Sequence, residues 1–168
     1  KTSQTIRWNA VSSADGYDIY GAKSNGKYER IQTVSKKSVK WTHKKLKKGK
    51  SYKYYVQAYQ EIGGKRIVIA KSLDVYSTTK GGKYGNVSKV SAKKTRISVK
   101  AGKKAKLSAK AAGKKLNKTA KKMRYVSSNP SVAKVSSKGI ITGKKRGSCT
   151  VYCIARNGVY KKIKVTTK

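Results

Sequence analysis

Phenylalanine is absent from these 168 residues, and proline (Pro130), histidine (His43) and methionine (Met123) occur once each. Acidic side chains are nearly as scarce, with five in all: Asp15, Asp18, Glu29, Glu61 and Asp74. These shortages exclude much chemistry. General acid–base catalysis needs a positioned pair of titratable groups, and the five acids form no spaced pair that suggests one. His43, between Trp41-Thr42 and Lys44-Lys45, reads as an exposed residue near a strand end. No glycine-rich phosphate loop opens a helix. An enzyme is not expected, nor any cofactor or metal. No apolar run approaches the ~18 residues of a membrane span, and no leader has the shape of a signal peptide. Membrane insertion is therefore not expected. The opening Lys1-Thr2-Ser3 reads as an internal start, so the chain is expected to belong to a longer one.

Cysteine is limited to Cys149 and Cys153. On one strand they would face the same way but lie about 13 Å apart, whereas a disulfide needs Cα atoms within ~7 Å. They alternate inward with Val151 and read as small core residues. Metal binding would require further His or Cys, and the second half supplies none. Free buried thiols would suit a reducing habitat.

What the chain has is positive charge. Forty-four Lys and Arg stand against the five acids, a formal net charge of +39. The distribution is uneven. Residues 1–80 hold 18 cations and all five acids, whereas residues 81–168 hold 26 cations and no acid. High charge can signal disorder, but regular alternation argues against it here.

The clearest alternation is Tyr52 to Tyr59. Tyr52, Tyr54, Val56 and Ala58 would share one strand face, and Lys53, Tyr55, Gln57 and Tyr59 the other. Leu46, the Gly49 turn and Tyr52 together have the pattern of a tyrosine corner, in which the phenol packs at a sandwich edge and its hydroxyl returns to backbone. A generic Tyr-rich edge strand is the alternative. Further strands are expected at Thr5–Trp8, Tyr17–Tyr20, Tyr28–Val34, Ser38–Thr42, Lys65–Ile69 and Leu73–Ser77. Asn25-Gly26 supplies a hairpin turn and Gly63-Gly64 another. Lys80–Lys83 reads as a short linker. Beyond it, strands are expected at Arg96–Lys100, Lys106–Ala111, Met123–Ser127, Val132–Ser136, Gly139–Gly143, Gly147–Ala155 and Tyr160–Val165, with Ala112–Ala120 a loop. Helical periodicity is absent, and short strands between turn signals indicate all-β sandwich architecture.

Ile6-Arg7-Trp8, Ala14-Asp15-Gly16-Tyr17-Asp18-Ile19-Tyr20 and Leu46–Tyr59 together resemble a bacterial fibronectin type III domain over about residues 1–80, with the first strand reduced or missing. No Arg-Gly-Asp is present, so no integrin-type contact is implied. The run Tyr125-Val126-Ser127-Ser128-Asn129-Pro130-Ser131-Val132-Ala133-Lys134-Val135-Ser136, then Gly139-Ile140-Ile141-Thr142-Gly143 and Gly147-Ser148-Cys149-Thr150-Val151, resembles the bacterial Ig-like group 2 domain of intimin- and invasin-type adhesins over about 86–168. Tyr125 stands where that family usually has tryptophan, and its typical acidic positions are Lys or Ser here. These resemblances imply two tandem immunoglobulin-like β-sandwich domains, 1–80 and 81–168, in a secreted or surface-displayed bacterial protein.

The sequons at Asn86-Val87-Ser88 and Asn117-Lys118-Thr119 read as chance matches. The functional candidates are the basic clusters: Lys44, Lys45, Lys47, Lys48 and Lys50; Lys103, Lys104 and Lys106; Lys114, Lys115 and Lys118; Lys121 and Lys122; Lys144, Lys145 and Arg146; Lys161, Lys162 and Lys164. Lysine outnumbers arginine 37 to 7. Lysine acts as a point charge, whereas arginine's fork suits bidentate reading. Diffuse contact with an anionic polysaccharide, a teichoic acid or an anionic cell surface is therefore expected, by a monomer. A passive spacer carrying another domain is the alternative, and non-specific nucleic-acid binding a lesser one. Tyr55 and Tyr59 could present a sugar-stacking patch, but cross-strand packing on the solvent face is the expected reading.

Overall fold

The computed structural model describes residues 2–168. The backbone divides into two units, one ending at Gly85 and the other running Asn86–Lys168.

In the first unit the strands are β1 (Gln4–Arg7), β2 (Gly16–Lys23), β3 (Glu29–Ser35), β4 (Lys40–His43), β5 (Ser51–Ile62), β6 (Lys65–Lys71) and β7 (Val75–Thr78). β1 pairs β4, with Ile6 opposite Trp41. The facing sheet runs β3-β2-β5-β6, with β7 also on β5. β1 has no other strand beside it among the described residues.

With no phenylalanine available, tyrosine fills this core. Tyr17 and Tyr54 are 1% exposed and Tyr52 is 7% exposed. Each buried phenol then needs a polar partner. The Tyr17 hydroxyl accepts from the Val11 N–H at 2.9 Å. The Tyr54 hydroxyl lies 3.1 Å from His43 Nδ1. The Tyr52 hydroxyl accepts from the Lys47 N–H at 3.1 Å, five residues upstream, with Leu46 buried beneath. That is the tyrosine corner the sequence predicts.

His43 differs from expectation. It is half-buried, packed against the rings of Trp41 and Tyr54, because β4 closes over the core. Burial lowers its pKa from the ordinary value of 6.5. Lys80–Lys83 differs too: the Gly49 N–H donates to the Lys80 carbonyl at 3.1 Å, so the stretch expected as a linker lies on the first unit's own turn.

The second unit contains β8 (Lys89–Ala92), β9 (Arg96–Val99), β10 (Lys104–Lys106), β11 (Ala109–Ala112), α1 (Lys118–Lys121), β12 (Met123–Ser127), β13 (Ala133–Val135), β14 (Ile140–Gly143), β15 (Gly147–Ala155) and β16 (Tyr160–Thr167). One sheet runs β12-β15-β16-β9, with β9 parallel to β16. The pairs β8-β11 and the triplet β10-β14-β13 complete the fold. The expected single strand Lys106–Ala111 is two strands. The chain changes partner at buried Leu107, from β14 to β8.

The core combines Val90, Ile97, Val99, Leu107, Ile141, Val151, Ile163 and Val165 with Cys149 and Cys153. Both cysteines are free and buried. Desolvation pushes the Cys153 thiol up to about 11. The Asn129-Pro130 turn is fixed by one local bond and one from β15. The Asn129 Oδ1 accepts from the Ser131 N–H at 3.1 Å, and the Ser128 hydroxyl accepts from the Thr150 N–H at 2.9 Å. Gly139 has φ +75°, and a Cβ there would meet the Leu107 carbonyl at 2.8 Å and the Tyr125 ring at 3.1 Å. Only glycine serves at that point. Asn117, in the second sequon, caps α1 by accepting from the Ala120 N–H at 2.8 Å.

Both tryptophans, Trp8 and Trp41, lie in the first unit and both cysteines in the second, so each unit has its own reporter. Tyr52→Phe removes the acceptor of the Lys47 N–H and should lower first-unit stability by about 1–2 kcal/mol. The tryptophan-fluorescence transition in denaturant should move, while the thiol-detected transition stays in place. Cys149 and Cys153 should resist a thiol reagent in the folded protein and both react once the second unit unfolds; rapid native labelling would contradict the buried placement. For His43 the depressed folded pKa fixes the sign. Above about pH 6.5 the residue is neutral in both states; below it only the unfolded chain takes up the proton, so first-unit stability falls. The fluorescence midpoint should drop as pH falls below about 6.5, and His43→Gln should flatten that slope.

Candidate functional site

Three of the five acids of the first unit are used internally. Asp18 is 6% exposed and meets Arg30 at 3.4 Å and Arg66 at 3.3 Å, while accepting from the Thr33 hydroxyl. Glu61 meets Arg66 at 3.2 Å, and an Asp15 carboxylate oxygen accepts from the Glu61 N–H at 2.9 Å. This anchors the outer face of the β3-β2-β5-β6 sheet. Tyr55 stacks on Tyr20 at 4.7 Å, with Tyr28 at its edge and the Lys71 ammonium 4.1 Å from its ring centroid. Tyr59 lies on this face as expected, but it is buried. The Arg66 guanidinium covers its ring at 4.3 Å, and the ring occupies the space a Gly16 side chain would need. The two tyrosines therefore pack across strands, and Tyr59 offers no open face to a sugar.

All nineteen candidate cations are exposed. Lys44, Lys45, Lys47, Lys48 and Lys50 occupy the loop between β4 and β5, arranged around buried Leu46. That loop is pinned from below. Thr79 Oγ1 donates to the Lys47 carbonyl at 2.6 Å and accepts from the Lys50 N–H at 3.1 Å, so its five ammonium groups stand on fixed backbone.

In the second unit the clusters separate. The turn carrying Lys103 is bridged to Gly143 through Ala101, and the Gly143 N–H donates to the Lys103 carbonyl at 3.1 Å. Lys103 and Lys104 are thus brought beside Lys144, Lys145 and Arg146 at the end where β15 begins. Lys118, Lys121 and Lys122 lie on and after α1, next to Met123, which pairs with Ala155 where β15 ends. Nine residues of β15 place these groups about 25 Å apart. Lys114 and Lys115 sit in the loop before α1, and Lys106 is opposite Ile140. Lys161, Lys162 and Lys164 also divide, because strand alternation places Lys161 on the opposite side from the other two.

Between the two ends, on the outer face of the β12-β15-β16-β9 sheet, the register aligns residues that the linear pattern does not connect. Arg96 is opposite Lys164, and Lys164 opposite Thr150. Lys162 is opposite Tyr152, its ammonium 5.9 Å from the ring centroid. Arg96 and Tyr152 were not among the sequence candidates. Arg96 is found by the parallel β9–β16 pairing and Tyr152 by the β15–β16 register, neither of which a local pattern reveals. No cluster of His, Cys, Asp and Glu able to hold a metal ion occurs among the described residues, and no helix is long and apolar enough to cross a membrane.

Residues 86–166 match the model of the bacterial Ig-like domain (group 2). No curated protein matches the chain. Among solved structures, the S-layer protein rSbsC(31-844) aligns at 17% identity and TM-score 0.44, covering 94% of this chain and 20% of that one. A C-terminal intimin fragment, solved with the intimin-binding domain of the translocated intimin receptor, aligns at 12% identity and TM-score 0.38, covering 99% of this chain and 57% of that one. The fibronectin(III)-like modules of Clostridium thermocellum CbhA align at 12% identity and TM-score 0.32, with 99% and 86% covered. The chain thus spans only a fifth of the S-layer protein's length. Strand order and the Tyr52 corner give the first unit a fibronectin type III-like arrangement, and the second unit matches the bacterial Ig-like group 2 domain over residues 86–166.

Proposed function

We propose that this chain is a non-catalytic binding element of a secreted or surface-displayed bacterial protein, and that it adheres to anionic polymers through the lysines of its surface. One observation carries the reading: residues 81–168 expose clustered cations and contain no carboxylate side chain to pair with them. Contacts to many charged groups release counterions and sum without precise geometry. The preponderance of lysine suits a repeating polymer such as a cell-wall or host glycan or a teichoic acid. The fibronectin type III-like and Ig-like architectures belong to adhesion-type modules that are generally non-catalytic. A spacer role, with the charge serving only solubility, is the reading to be separated from this one.

The test is retention of the intact chain on heparin, wall teichoic acid, duplex DNA and a neutral glycan across a salt series. Adhesion predicts at least about tenfold loss of affinity between about 50 and 200 mM salt, with one anionic glycan still bound at about 150 mM, where DNA of similar charge density is not. Equal, weak binding to every polyanion, gone by that salt, would leave the spacer.

A further inference from the structure

The outer face of the β12-β15-β16-β9 sheet forms an ordered set of cross-strand rows. Ser98, Thr166 and Ser148 make the first, Arg96, Lys164 and Thr150 the second, and Lys162, Tyr152 and Val126 the third. Along β9, β15 and β16 lies a groove of about 410 Å³, lined by Thr95, Arg96, Ser148, Cys149, Thr150, Lys162 and Lys164, and Tyr152, opposite Lys162, stands beside it. We propose that this groove is a binding subsite for an anionic saccharide, holding a sulfate or phosphate ester between Arg96 and Lys164 and laying a sugar ring against Tyr152. The proposal deepens the polyanion reading and rests on it.

Three features point to that ligand class. First, Arg96 and Lys164 are direct cross-strand neighbours of like charge, an arrangement that costs stability in a sheet. The buried Asp18 carboxylate meets Arg30 and Arg66, whereas Arg7 and Lys40 form a second like-charge pair, on β1 and β4; the Arg96–Lys164 pair differs in lining a groove that also carries Lys162 and three hydroxyls. Here the unit has no carboxylate side chain to offset the pair, so a bound anion would relieve the repulsion. Lys162 adds a third cation on the same face, about 7 Å along β16 from Lys164, within reach of a second anionic group on one polymer segment.

Second, the floor is hydroxylic. Thr95, Ser148 and Thr150 offer neutral donors and acceptors between the cations, and the Ser148 and Thr166 hydroxyls lie 3.2 Å apart. Each can donate or accept, which matches the mixed donor–acceptor periphery of a sugar. An unadorned polyphosphate would leave them without purpose.

Third, the aromatic content favours one ring contact over a stack. Tyr152 and Tyr160 meet edge to face, 5.8 Å apart at 65°, so they do not form a series of parallel platforms. Single-stranded nucleic acid is held by successive bases stacked on such platforms, and this face has none to offer.

The experiment compares three forms of the full chain: wild type, the groove variant R96Q/K162Q/K164Q, and the loop variant K144Q/K145Q/R146Q, which loses the same charge. The probes are a sulfated heparin hexasaccharide, a short glycerol-phosphate teichoic acid fragment, and a single-stranded DNA of equal charge. Thiol protection at Cys149 and Cys153 confirms that each variant is folded. The groove variant should lose about tenfold or more in affinity for the hexasaccharide or the teichoic fragment, as expected for charge-assisted contacts. The loop variant should lose about threefold or less. Whichever of the two anionic fragments wild type prefers identifies the ester. Chemical-shift changes on adding that fragment should centre on Ser148, Thr150 and Lys164. Equal losses in both variants would overturn the groove while leaving diffuse polyanion binding intact. Wild type that ignores both fragments would remove the reading beneath it, and tighter binding of the DNA would overturn the saccharide assignment.

Discussion

Like-charge repulsion is the constraint under which the second unit folds. With no acidic side chain, it gains nothing from surface ion pairs, so its stability comes from what lies beneath the lysines. Val151, Ile163, Val165, Ile141 and Cys153 are all essentially inaccessible to water, and burying such side chains yields about 1.5–3 kcal/mol each for the larger ones. The remaining order comes from neutral hydrogen bonds. The Thr167 hydroxyl donates to the Val132 carbonyl at 3.0 Å, and Ser128 and Asn129 hold the turn that feeds β13. Lysine suits this arrangement because its stem can cover apolar surface while its head remains in water.

The first unit solves a different problem. Its five acids would be too few to neutralise the surface even if all were exposed, and Asp18 is not used that way. It sits under Arg30, Arg66 and Thr33, where it locks the bend of β2 against β3 and β6. Removing one partner of such a buried charge leaves the other uncompensated, which is why pairs of this kind fix geometry more surely than they add stability. Arg66 then covers Tyr59, and Tyr59 covers Gly16. One carboxylate thus organises a sheet face that composition alone would have left open to a ligand, and the face becomes structural.

The alternation of β5 and the corner at Tyr52 were legible because both are local: a period of two, and a turn a few residues before it. The Ser-Asn-Pro-Ser run and the Gly139–Gly143 segment were legible because they resemble the bacterial Ig-like group 2 pattern, although the contacts that hold them, Ser128 to Thr150 and Gly139 against Leu107, are distant in sequence. What was not legible depended on partners distant in sequence. Lys89–Ala92 forms β8 although only Val90 is fully buried, because the strand is completed by β11 across it. Lys106–Ala111 alternates smoothly through the point where it exchanges one sheet partner for another. His43 was read as exposed from its charged neighbours, yet the covering of Tyr54 depends on the β1–β4 pair closing over it. The candidate lysines were legible as cations, and their grouping was not.

That last distinction bears on how a lysine-rich sandwich can be selective. Loop clusters at the two ends of β15 are far apart compared with the screening length of about 8 Å at physiological salt, so they act as separate patches of similar, low discrimination. The sheet face differs because strand pairing, and not chain adjacency, sets its geometry. Arg96 enters from β9, Lys162 and Lys164 from β16, and Ser148 and Thr150 from β15, with each position fixed by backbone hydrogen bonds that a ligand need not organise. A charge registered across paired strands costs less entropy to engage than one whose neighbours a ligand must first arrange. Selectivity in such a protein should therefore reside where cations are registered across strands and separated by neutral hydroxyls, and the far more numerous loop lysines should set how strongly the surface attracts polyanions without choosing among them.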